Sequence, residues 1–294
     1  MDKRATFPNP WIAGAFIAPQ LLLIFIFFYW PTGQALYWSI TLEPPFGGGN
    51  QFVGLDNFRA VFADPHYWES VVRSLIFAAS VTGLSVGFAT VLALFADRGL
   101  KGHQIYKFLY FLPYAMPAAA VGLSFRFIFT PEAGIFGALN HLYPGLWDPS
   151  RIGWQALSEI IMGQGWKMAG YNFIFLLAAL QSVPRAIVEA AALDGATILQ
   201  RMRYIQIPLI MPTIFFLVVI NVTDSFVDSF GMIDVTTKGG PSRATELMVY
   251  KIFLDGFEAK DYSLAAAQSI ILMLMIMVLT IFQFRHMERK VHYG

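Results

Sequence analysis

The sequence predicts an all-α integral membrane protein with six transmembrane helices and both termini in the cytoplasm. Three observations support this fold class. Apolar residues make up 56% of the 294 residues and charged residues only 13%, whereas soluble domains carry about 25% charged residues. Six apolar segments reach the length of about 20 residues that a helix needs to cross a bilayer. Lys and Arg concentrate in alternate connecting segments, as in multi-span proteins.

The predicted spans follow from the positions of the apolar segments. They are Trp11–Trp30, Ser70–Ala96, Phe108–Thr130, Ser158–Leu180, Leu209–Ser229 and Ser263–Phe284. The first span follows Lys3 and Arg4, as a signal peptide would, but it is long, ends in aromatic residues and lacks a small-residue cleavage site near that end. We therefore predict a retained anchor and a single transmembrane domain over residues 1–294.

Orientation follows from the charges of the connecting segments. Basic residues exceed acidic ones in the N-terminus and in residues 97–107, 181–208 and 285–294. Acidic residues exceed basic ones in residues 31–69, 131–157 and 230–262. Because Lys and Arg are retained on the cytoplasmic side of a membrane, the first set, with both termini, is predicted to be cytoplasmic.

Motifs of several other protein classes are absent. The sequence has no G-x-x-x-x-G-K-[ST] phosphate-binding loop, no H-E-x-x-H zinc motif and no cysteine. The net charge of +1 and the lack of a basic tract argue against nucleic-acid binding. No cofactor or metal site is predicted in this chain. The five histidines fall in predicted loops or tails, where solvated residues are expected: His66, His103, His141, His286 and His292.

The predicted cytoplasmic loop 181–208 is expected to form two helices separated by a turn at a glycine. Ser182 and Pro184 are suited to a helix start, and Gly195 is suited to the left-handed conformation that ends a helix. Such a loop can dock on a partner or lie on the membrane surface, and these residues alone favour neither. For docking, the predicted apolar anchors are Ile187, Leu193, Met202 and Tyr204.

The same loop carries a motif that resembles a known family. The residues "EAAALDGA" at 189–196, followed by Ile207-Pro208 and Pro212, are similar to the "EAA" signature of permease subunits of binding-protein-dependent bacterial ABC importers. In that family the loop docks as a coupling helix into a groove of the ATPase subunit. The residues that the resemblance implies in this contact are Glu189, Ala190, Ala191, Asp194 and Gly195, and Arg201 and Arg203 are predicted to supply charge to it.

The resemblance extends along the chain. "FVGLDNF" at 52–58, "PYAMP" at 113–117 and "TKGGPSRATELMVYKIF" at 237–253 resemble the sugar and polyol branch of these permeases. "GYNFIFLLAALQSVPRAIVEAAALDGA" and the C-terminal "FQFRHMERKVHYG" are similar to its glycerol-3-phosphate members. The implied substrates are sn-glycerol 3-phosphate and related glycerophosphodiesters, with another sugar or polyol as the alternative.

The resemblance also implies a fold, a location and partners. The fold is that of a type I ABC importer permease in the bacterial inner membrane, surrounded by lipid. The implied partners are a second, related permease subunit, two copies of an ABC ATPase that bind the ATP, and a periplasmic solute-binding protein. The chain itself is then a non-catalytic subunit. A channel or secondary transporter that works alone is the competing function, but we find no convincing internal repeat to support it.

Six charged residues lie within the predicted spans: Arg73, Arg126, Glu159, Lys167, Asp224 and Asp228. Ionisable residues inside a membrane are costly and often functional. Most of these lie near a span end, where long side chains reach the interface or pair with one another, and a structural role is expected. Lys167 is about nine residues into the fourth span, roughly 13 Å deep and near the middle of the bilayer.

Lys167 shares its helical face with other polar residues and is the centre of the predicted substrate pathway. The predicted pathway residues are Gln164, Lys167, Tyr171, Asn172, Asn221 and Asp224. In one hypothesis Lys167 weakly attracts a substrate phosphate while Tyr171, Asn172 and Asn221 bind hydroxyls. In the alternative hypothesis Lys167 is paired with Asp224 inside the bundle.

Small residues and prolines complete the expectations. Gly83 with Gly87, and Ala118 with Gly122, have the spacing of close helix packing. Gly163 and Gly170 leave room for a ligand or a neighbouring helix, and Pro113 and Pro117 are expected to kink the third span. The segment 231–262 either meets the binding protein or is an ordinary solvated loop.

Overall fold

The computed structural model describes residues 10–42, 49–97, 103–132 and 134–287, and these residues are mostly helical. The N-terminal elements are α1 (Pro10–Ile24), a π-helical turn (Phe25–Tyr29), α2 (Trp30–Ser39), β1 (Thr41–Leu42), β2 (Gln51–Phe52) and α3 (Asp56–Ala63). The central helices are α4 (Pro65–Ala96), α5 (His103–Ala115), α6 (Ala118–Phe129), α7 (Ile135–Leu142) and α8 (Gly153–Ser182). The remaining elements are α9 (Arg185–Leu193), α10 (Ile198–Arg201), a π turn (Met202–Gln206), α11 (Ile207–Leu209), α12 (Met211–Val227), α13 (Phe230–Thr236), α14 (Met248–Phe253), a π turn (Leu254–Glu258) and α15 (Tyr262–Met287).

The chain divides into two compact units. The first consists of Met1–Asp64 and Ile252–Leu272, and the second consists of Pro65–Lys251 and Met273–Gly294. In the first unit, the short strands pair antiparallel, with Thr41 opposite Phe52. The buried Asn57 amide donates to the carbonyl oxygens of Ser39 and Thr41 at 3.0 and 2.9 Å, which fixes α3 against the end of α2 and β1. Within the same unit, the Gln268 amide donates to Asp255 at 2.6 Å.

The second unit is built around α4, α8 and α12. Its apolar core joins the last turns of α4 to the second half of α8, through buried residues that include Ala89, Ala93, Phe173 and Leu176. Small residues allow this close packing because no side chain separates the backbones. A methyl group added at Gly165 would lie 2.7 Å from a Leu84 methyl carbon. The centre of α8 is therefore enclosed by its neighbours.

The predicted close contacts of the glycines occur at some positions and not at others. A Cβ at Gly122 would lie 2.7 Å from Val235 Cγ2, and one at Gly170 would lie 2.3 Å from the Tyr110 carbonyl oxygen. The room at Gly163 is taken up by Met232 and Phe125 of neighbouring helices. The prediction for Gly83 and Gly87 was wrong in this chain, because no described atom, apart from the adjacent residues and the backbone of the same helix, lies within 4 Å of a Cβ built there.

Proline and loop residues bend several helices. The predicted third span is two helices, because Phe108–Ala115 and Ala118–Phe129 meet at 107°. Pro117 occupies the N-cap of α6 and interrupts the hydrogen-bond ladder, whereas Pro113 lies within α5. The expected kink at this site is therefore present, and it is sharper than a bend within one helix.

Among the described residues, three helices are long and apolar enough to cross a membrane: Trp11–Ser39, Pro65–Ala96 and Tyr262–Arg285. Three bent pairs meet the same standard together, so the described chain provides between three and six spans. The helices extend beyond the predicted spans at most ends; α8, for example, begins at Gly153 and not at Ser158. The chain termini lie outside the described residues.

Candidate functional site

Lys167 lies at the middle of the 30-residue helix α8 and is only 6% exposed. Its ammonium group forms an ion pair with Asp228 Oδ2, and the Asp228 side chain is 52% exposed. Lys167 is thus paired inside the protein, as one of the two hypotheses predicted. The predicted partner, Asp224, was wrong, because the ion pair is formed with Asp228. Asp228 occupies the C-cap of α12, with φ −90° and ψ 11°, four residues after Asp224.

Three further side chains are linked to this ion pair, directly or through one another. Asp224 interacts electrostatically with both Lys167 and Asp228, and Tyr171 interacts in the same way with Asp224 and Tyr114. The rings of Tyr114 and Tyr171 are 4.9 Å apart between centroids. We refer to these five residues, Tyr114, Lys167, Tyr171, Asp224 and Asp228, as the polar cluster. One ammonium group and two carboxylates give the ionised cluster a formal charge of −1.

Asn172 and Asn221 form a separate, fully buried pair. Each side-chain amide donates to the other's oxygen, at 3.0 and 2.7 Å. Ser85 of α4 donates to the same Asn221 oxygen at 2.8 Å, so the pair joins α4, α8 and α12. Neither asparagine is exposed. Their predicted role as ligands for substrate hydroxyls finds no support in this geometry, because their amide groups are already occupied by protein partners.

Gln164 precedes Lys167 by one turn of α8 and is fully buried. Neither atom of its side-chain amide has a hydrogen-bond partner among the described residues. A buried amide without a partner is costly, and such groups commonly bind an internal water. Gln164 is therefore not on an open surface in this conformation, although it shares the helical face of Lys167.

The other charged residues of the spans have local roles. Arg73 pairs with Glu69 at 2.6 Å one turn earlier in α4. Arg126 donates to the carbonyl oxygen of Val235 at 3.0 Å. Arg126 and the buried Glu159 line a cavity of about 390 Å³ between the loops that follow α6, α7 and α13. Arg73 and Arg126 thus have the local partners that a structural role predicts.

The predicted coupling loop forms two short helices with defined ends. The Ala196 amide donates to the Ala191 carbonyl and the Gly195 amide to the Ala192 carbonyl, at 2.9 and 3.1 Å. These two bonds and a φ of +82° at Gly195 make a Schellman motif, which closes α9. Thr197 and Gln200 then form a capping box that begins α10. The predicted helix start differs in detail, because Pro184 is the N-cap of α9 and Ser182 donates to the Ala179 carbonyl instead.

This loop presents most of its side chains to the outside. None of the residues of α9 is buried, and Leu193 is 90% exposed. Glu189, Ala190, Asp194, Gly195 and Arg203 are also exposed, while Ala191 and Arg201 are partly covered. The Arg203 guanidinium lies 5.8 Å from the Tyr204 ring centroid. Met202 was wrongly predicted as an exposed anchor, because it is buried in the apolar core between α4 and α8.

Sequence reasoning missed three members of the two polar groups. Asp228 was seen as a charged residue of the span, but its depth was underestimated, since it pairs with a lysine at the middle of α8. Tyr114 lies within the "PYAMP" motif, although nothing in that motif points to Tyr171. Ser85 gave no usable signal, because serines on an apolar helix commonly bond to their own backbone.

An apolar helical bundle with a charged cluster at mid-helix and an exposed, capped loop helix defines a membrane transport component. The chain belongs to the family described as "Binding-protein-dependent transport system inner membrane component", whose pattern matches residues 85–293. This confirms the family predicted from the loop motif. Relatives in the family are transport subunits, and the chain is accordingly a permease component and not an enzyme.

Similar proteins cover the whole chain. It is 42% identical over 292 residues to the sn-glycerol-3-phosphate transport system permease protein UgpA of Brucella abortus biovar 1 (strain 9-941), covering 99% of this chain and 100% of that protein. The UgpA protein of Rhizobium meliloti (strain 1021) has the same identity and coverage. A chain of the bacterial alginate ABC transporter in complex with an alginate pentasaccharide-bound periplasmic protein superposes with a TM-score of 0.82 at 22% identity, covering 97% of this chain and 96% of that chain. This likeness shows that the chain has the permease fold.

Proposed function

We propose that this chain is the permease subunit of an ATP-driven importer for sn-glycerol 3-phosphate and related glycerophosphodiesters. Its relatives with 42% identity over nearly the whole chain carry the name of that transport system. In this proposal the chain crosses the bacterial inner membrane six times, with both termini in the cytoplasm, and forms half of the translocation pathway. Another sugar or polyol as substrate is the second candidate, because the loop motif is shared by permeases with different cargoes.

The exposed loop helix is the observation that carries the proposal. An amphipathic helix with an unburied leucine beside charged side chains is suited to a groove on a partner protein. The Schellman motif and the capping box fix both sides of the turn at Gly195, so α9 is presented as a rigid element. We assign the contact with the ATPase to Glu189, Ala190, Ala191, Asp194, Gly195, Arg201 and Arg203.

The loop is well placed to transmit a displacement. Its first helix, α9, is separated from the end of α8 by two residues, and the chain returns through α11 to α12. The Asn172–Asn221 pair joins these two helices, and the Lys167–Asp228 ion pair joins them a second time. A force on α9 therefore acts on helices that are tied to each other and to the polar cluster.

The proposed complex contains a second, related permease, two copies of an ABC ATPase and a periplasmic solute-binding protein. ATP is bound by the ATPase subunits, and we propose no cofactor for this chain. The likeness to an alginate ABC transporter that is bound to its periplasmic protein supports an assembly of this kind. Membrane lipid is the remaining partner, and no nucleic acid is proposed.

Uptake of labelled sn-glycerol 3-phosphate tests the function. Cells that lack the chain should regain uptake when it is restored together with its partner subunits, and unlabelled maltose or glycerol should compete poorly. A Walker-lysine variant of the ATPase should abolish uptake. Uptake of maltose in place of glycerol 3-phosphate would favour the second candidate substrate, and uptake without the ATPase would favour a stand-alone channel or secondary transporter.

A further inference from the structure

The net negative charge of the ionised polar cluster is unfavourable for binding the phosphate group of a substrate. Lys167 is the only cation of the cluster, the residue is only 6% exposed, and its ammonium group is already bound to Asp228. Asp224 adds a second carboxylate that acts on the same ammonium group. A phosphate placed at Lys167 would have to displace Asp228 and would then meet a net negative surrounding. The cluster is thus poorly suited to hold the phosphate.

The carboxylates are better placed to accept a ligand than the lysine is. Lys167 contacts Asp228 Oδ2, and the Asp228 side chain is half exposed. An ionised carboxylate has about four acceptor positions, so the ion pair leaves most of them available. An ionised carboxylate that is open within a membrane segment must face water or another polar group, because exposure to lipid is costly. We therefore expect the open side of Asp228 to face water or another polar group.

The remaining members of the cluster have the chemistry of a polyol site. A hydroxyl group can donate a hydrogen bond to an ionised carboxylate, and neither group changes its charge. Tyr114 and Tyr171 are partly exposed, and their rings lie 4.9 Å apart between centroids with planes tilted by 34°, which gives an aromatic wall beside the carboxylates. Small-molecule sites commonly combine such an aromatic lining with a few fixed polar groups.

We infer that the polar cluster binds the glycerol end of the substrate through the carboxylates of Asp228 and Asp224, and that the positive charge facing the phosphate is contributed by the second permease subunit. This inference rests on the proposed function for the identity of the substrate. Lys167 is then a positioning residue, which holds Asp228 in its orientation and does not touch the phosphate. The two permeases would then bind different ends of the substrate: this chain would bind the hydroxyl groups, and the second permease would bind the phosphate.

Ligand binding to the purified complex tests this division. The complex of both permeases and the ATPases, without the binding protein, is prepared in nanodiscs, and saturation-transfer NMR measures the dissociation constants of glycerol and of methyl phosphate. Hydrogen bonds to charged groups are worth enough that losing one weakens binding about tenfold or more. We expect Asp228→Asn and Asp224→Asn each to weaken glycerol by that factor and to leave methyl phosphate unchanged or tighter.

Three further variants complete the test and protect it from misfolding. Asp228→Asn leaves a buried ammonium group unpaired, so the double variant Lys167→Met/Asp228→Asn removes both charges together and should show the same loss of glycerol binding. Lys167→Arg should retain glycerol binding, because arginine can still orient Asp228. Loss of methyl phosphate binding in Lys167→Met would overturn the inference, as would unchanged glycerol binding in the aspartate variants or no glycerol signal from the wild-type complex.

The outcome is separable from that of the proposed function. Absence of glycerol 3-phosphate uptake by the intact wild-type system contradicts the proposed substrate, whatever the NMR experiment gives. Normal uptake of glycerol 3-phosphate together with phosphate binding at Lys167 would contradict only the division of the substrate between the two permeases.

Discussion

Single polar residues determine how the central helices of the second unit are joined. Asn172, Asn221 and Ser85 are essentially unexposed, and each has a partner on another helix. Between helices in a bilayer, apolar packing alone discriminates poorly between alternative registers, since lipid chains are as apolar as leucine. A buried amide pair satisfies its hydrogen bonds in one register only, so it selects that register.

The amide pair makes a testable contribution to stability. Asn221→Leu should destabilise the permease by about 1–3 kcal/mol, because it leaves the buried Asn172 amide without its partner. The double variant Asn172→Leu/Asn221→Leu should recover much of this loss, since neither amide is then left without its partner and Ser85 keeps its bond to the Thr82 carbonyl oxygen at 3.3 Å. Thermal unfolding of the purified protein in detergent, followed by tryptophan fluorescence, measures both effects.

A control and a contrary result complete that test. Ser124→Ala, which removes an exposed side-chain bond within α6, should leave the midpoint of unfolding nearly unchanged. A double variant that is as unstable as the sum of the two single variants would show that the asparagines do not act as a pair.

The sequence indicates which polar residues are unusual but not how they combine. The depth of Lys167 follows from counting residues along a span, and a buried lysine requires a counter-ion. Choosing between Asp224 and Asp228 depends on where α12 ends, and helix ends are difficult to place to within one or two residues. The Asn172–Asn221 pair spans 49 residues of sequence, so no local pattern could reveal it.

At the scale of elements, the loop helix α9 illustrates how local sequence determines local structure. The run from Arg185 to Leu193 consists largely of good helix formers, and Gly195 and Thr197 supply the signals that end one helix and begin the next. These are interactions between residues a few positions apart, and the loop was therefore predicted well. The break before α6 was predicted for the same reason, because Pro117 acts on its own neighbours.

Replacement of Gly195 tests whether the shape of the loop matters for coupling. Gly195→Ala should weaken the turn by about 1–2 kcal/mol, because a residue with a Cβ is disfavoured at its φ of +82°. Apart from the two adjacent residues, no described atom lies within 4 Å of the added methyl group, so the cost is conformational and not steric. We expect less ATPase to co-purify with the tagged permease and uptake to fall roughly tenfold.

Gly87→Ala is the matched control for this substitution. It adds the same methyl group at a position that is equally open but lies within α4, without a positive φ. Alanine is favoured over glycine inside a helix, so stability should be retained or slightly raised. Wild-type uptake and full retention of the ATPase in Gly195→Ala would argue against the proposed coupling role of the turn.

Contacts between distant elements were predicted less well than the elements themselves. Gly122 packs closely on Met232 and Val235, whereas Gly83 and Gly87, with a similar spacing of small residues, contact no described residue. The spacing of small residues indicates that another helix can pack closely there. Whether it does so depends on the shape of that helix's surface. Met202 shows the converse, because an apolar residue in a charged loop is buried against helices remote in sequence.

At the scale of the whole molecule, the pattern of apolar and basic residues carries most of the prediction. The runs that predict membrane spans correspond to helices in every case, although three of the candidate spans are bent helix pairs. The direction in which the chain crosses the membrane rests on the distribution of Lys and Arg alone. It is independent of the fold, since the same bundle could be inserted in either orientation.

Labelling of single cysteines tests this orientation, and the absence of natural cysteines makes the chain well suited to it. Ser150 and Ala192 are both exposed and flank α8, whose 30 residues extend about 45 Å. They should therefore lie on opposite sides of the membrane.

In intact spheroplasts a membrane-impermeant maleimide should label Ser150→Cys and spare Ala192→Cys, and inverted vesicles should give the reverse. Uptake by both variants confirms that they assemble. Labelling of Ala192→Cys from outside would place the loop away from any cytoplasmic ATPase, and the proposed coupling would then fail even if the fold is correct.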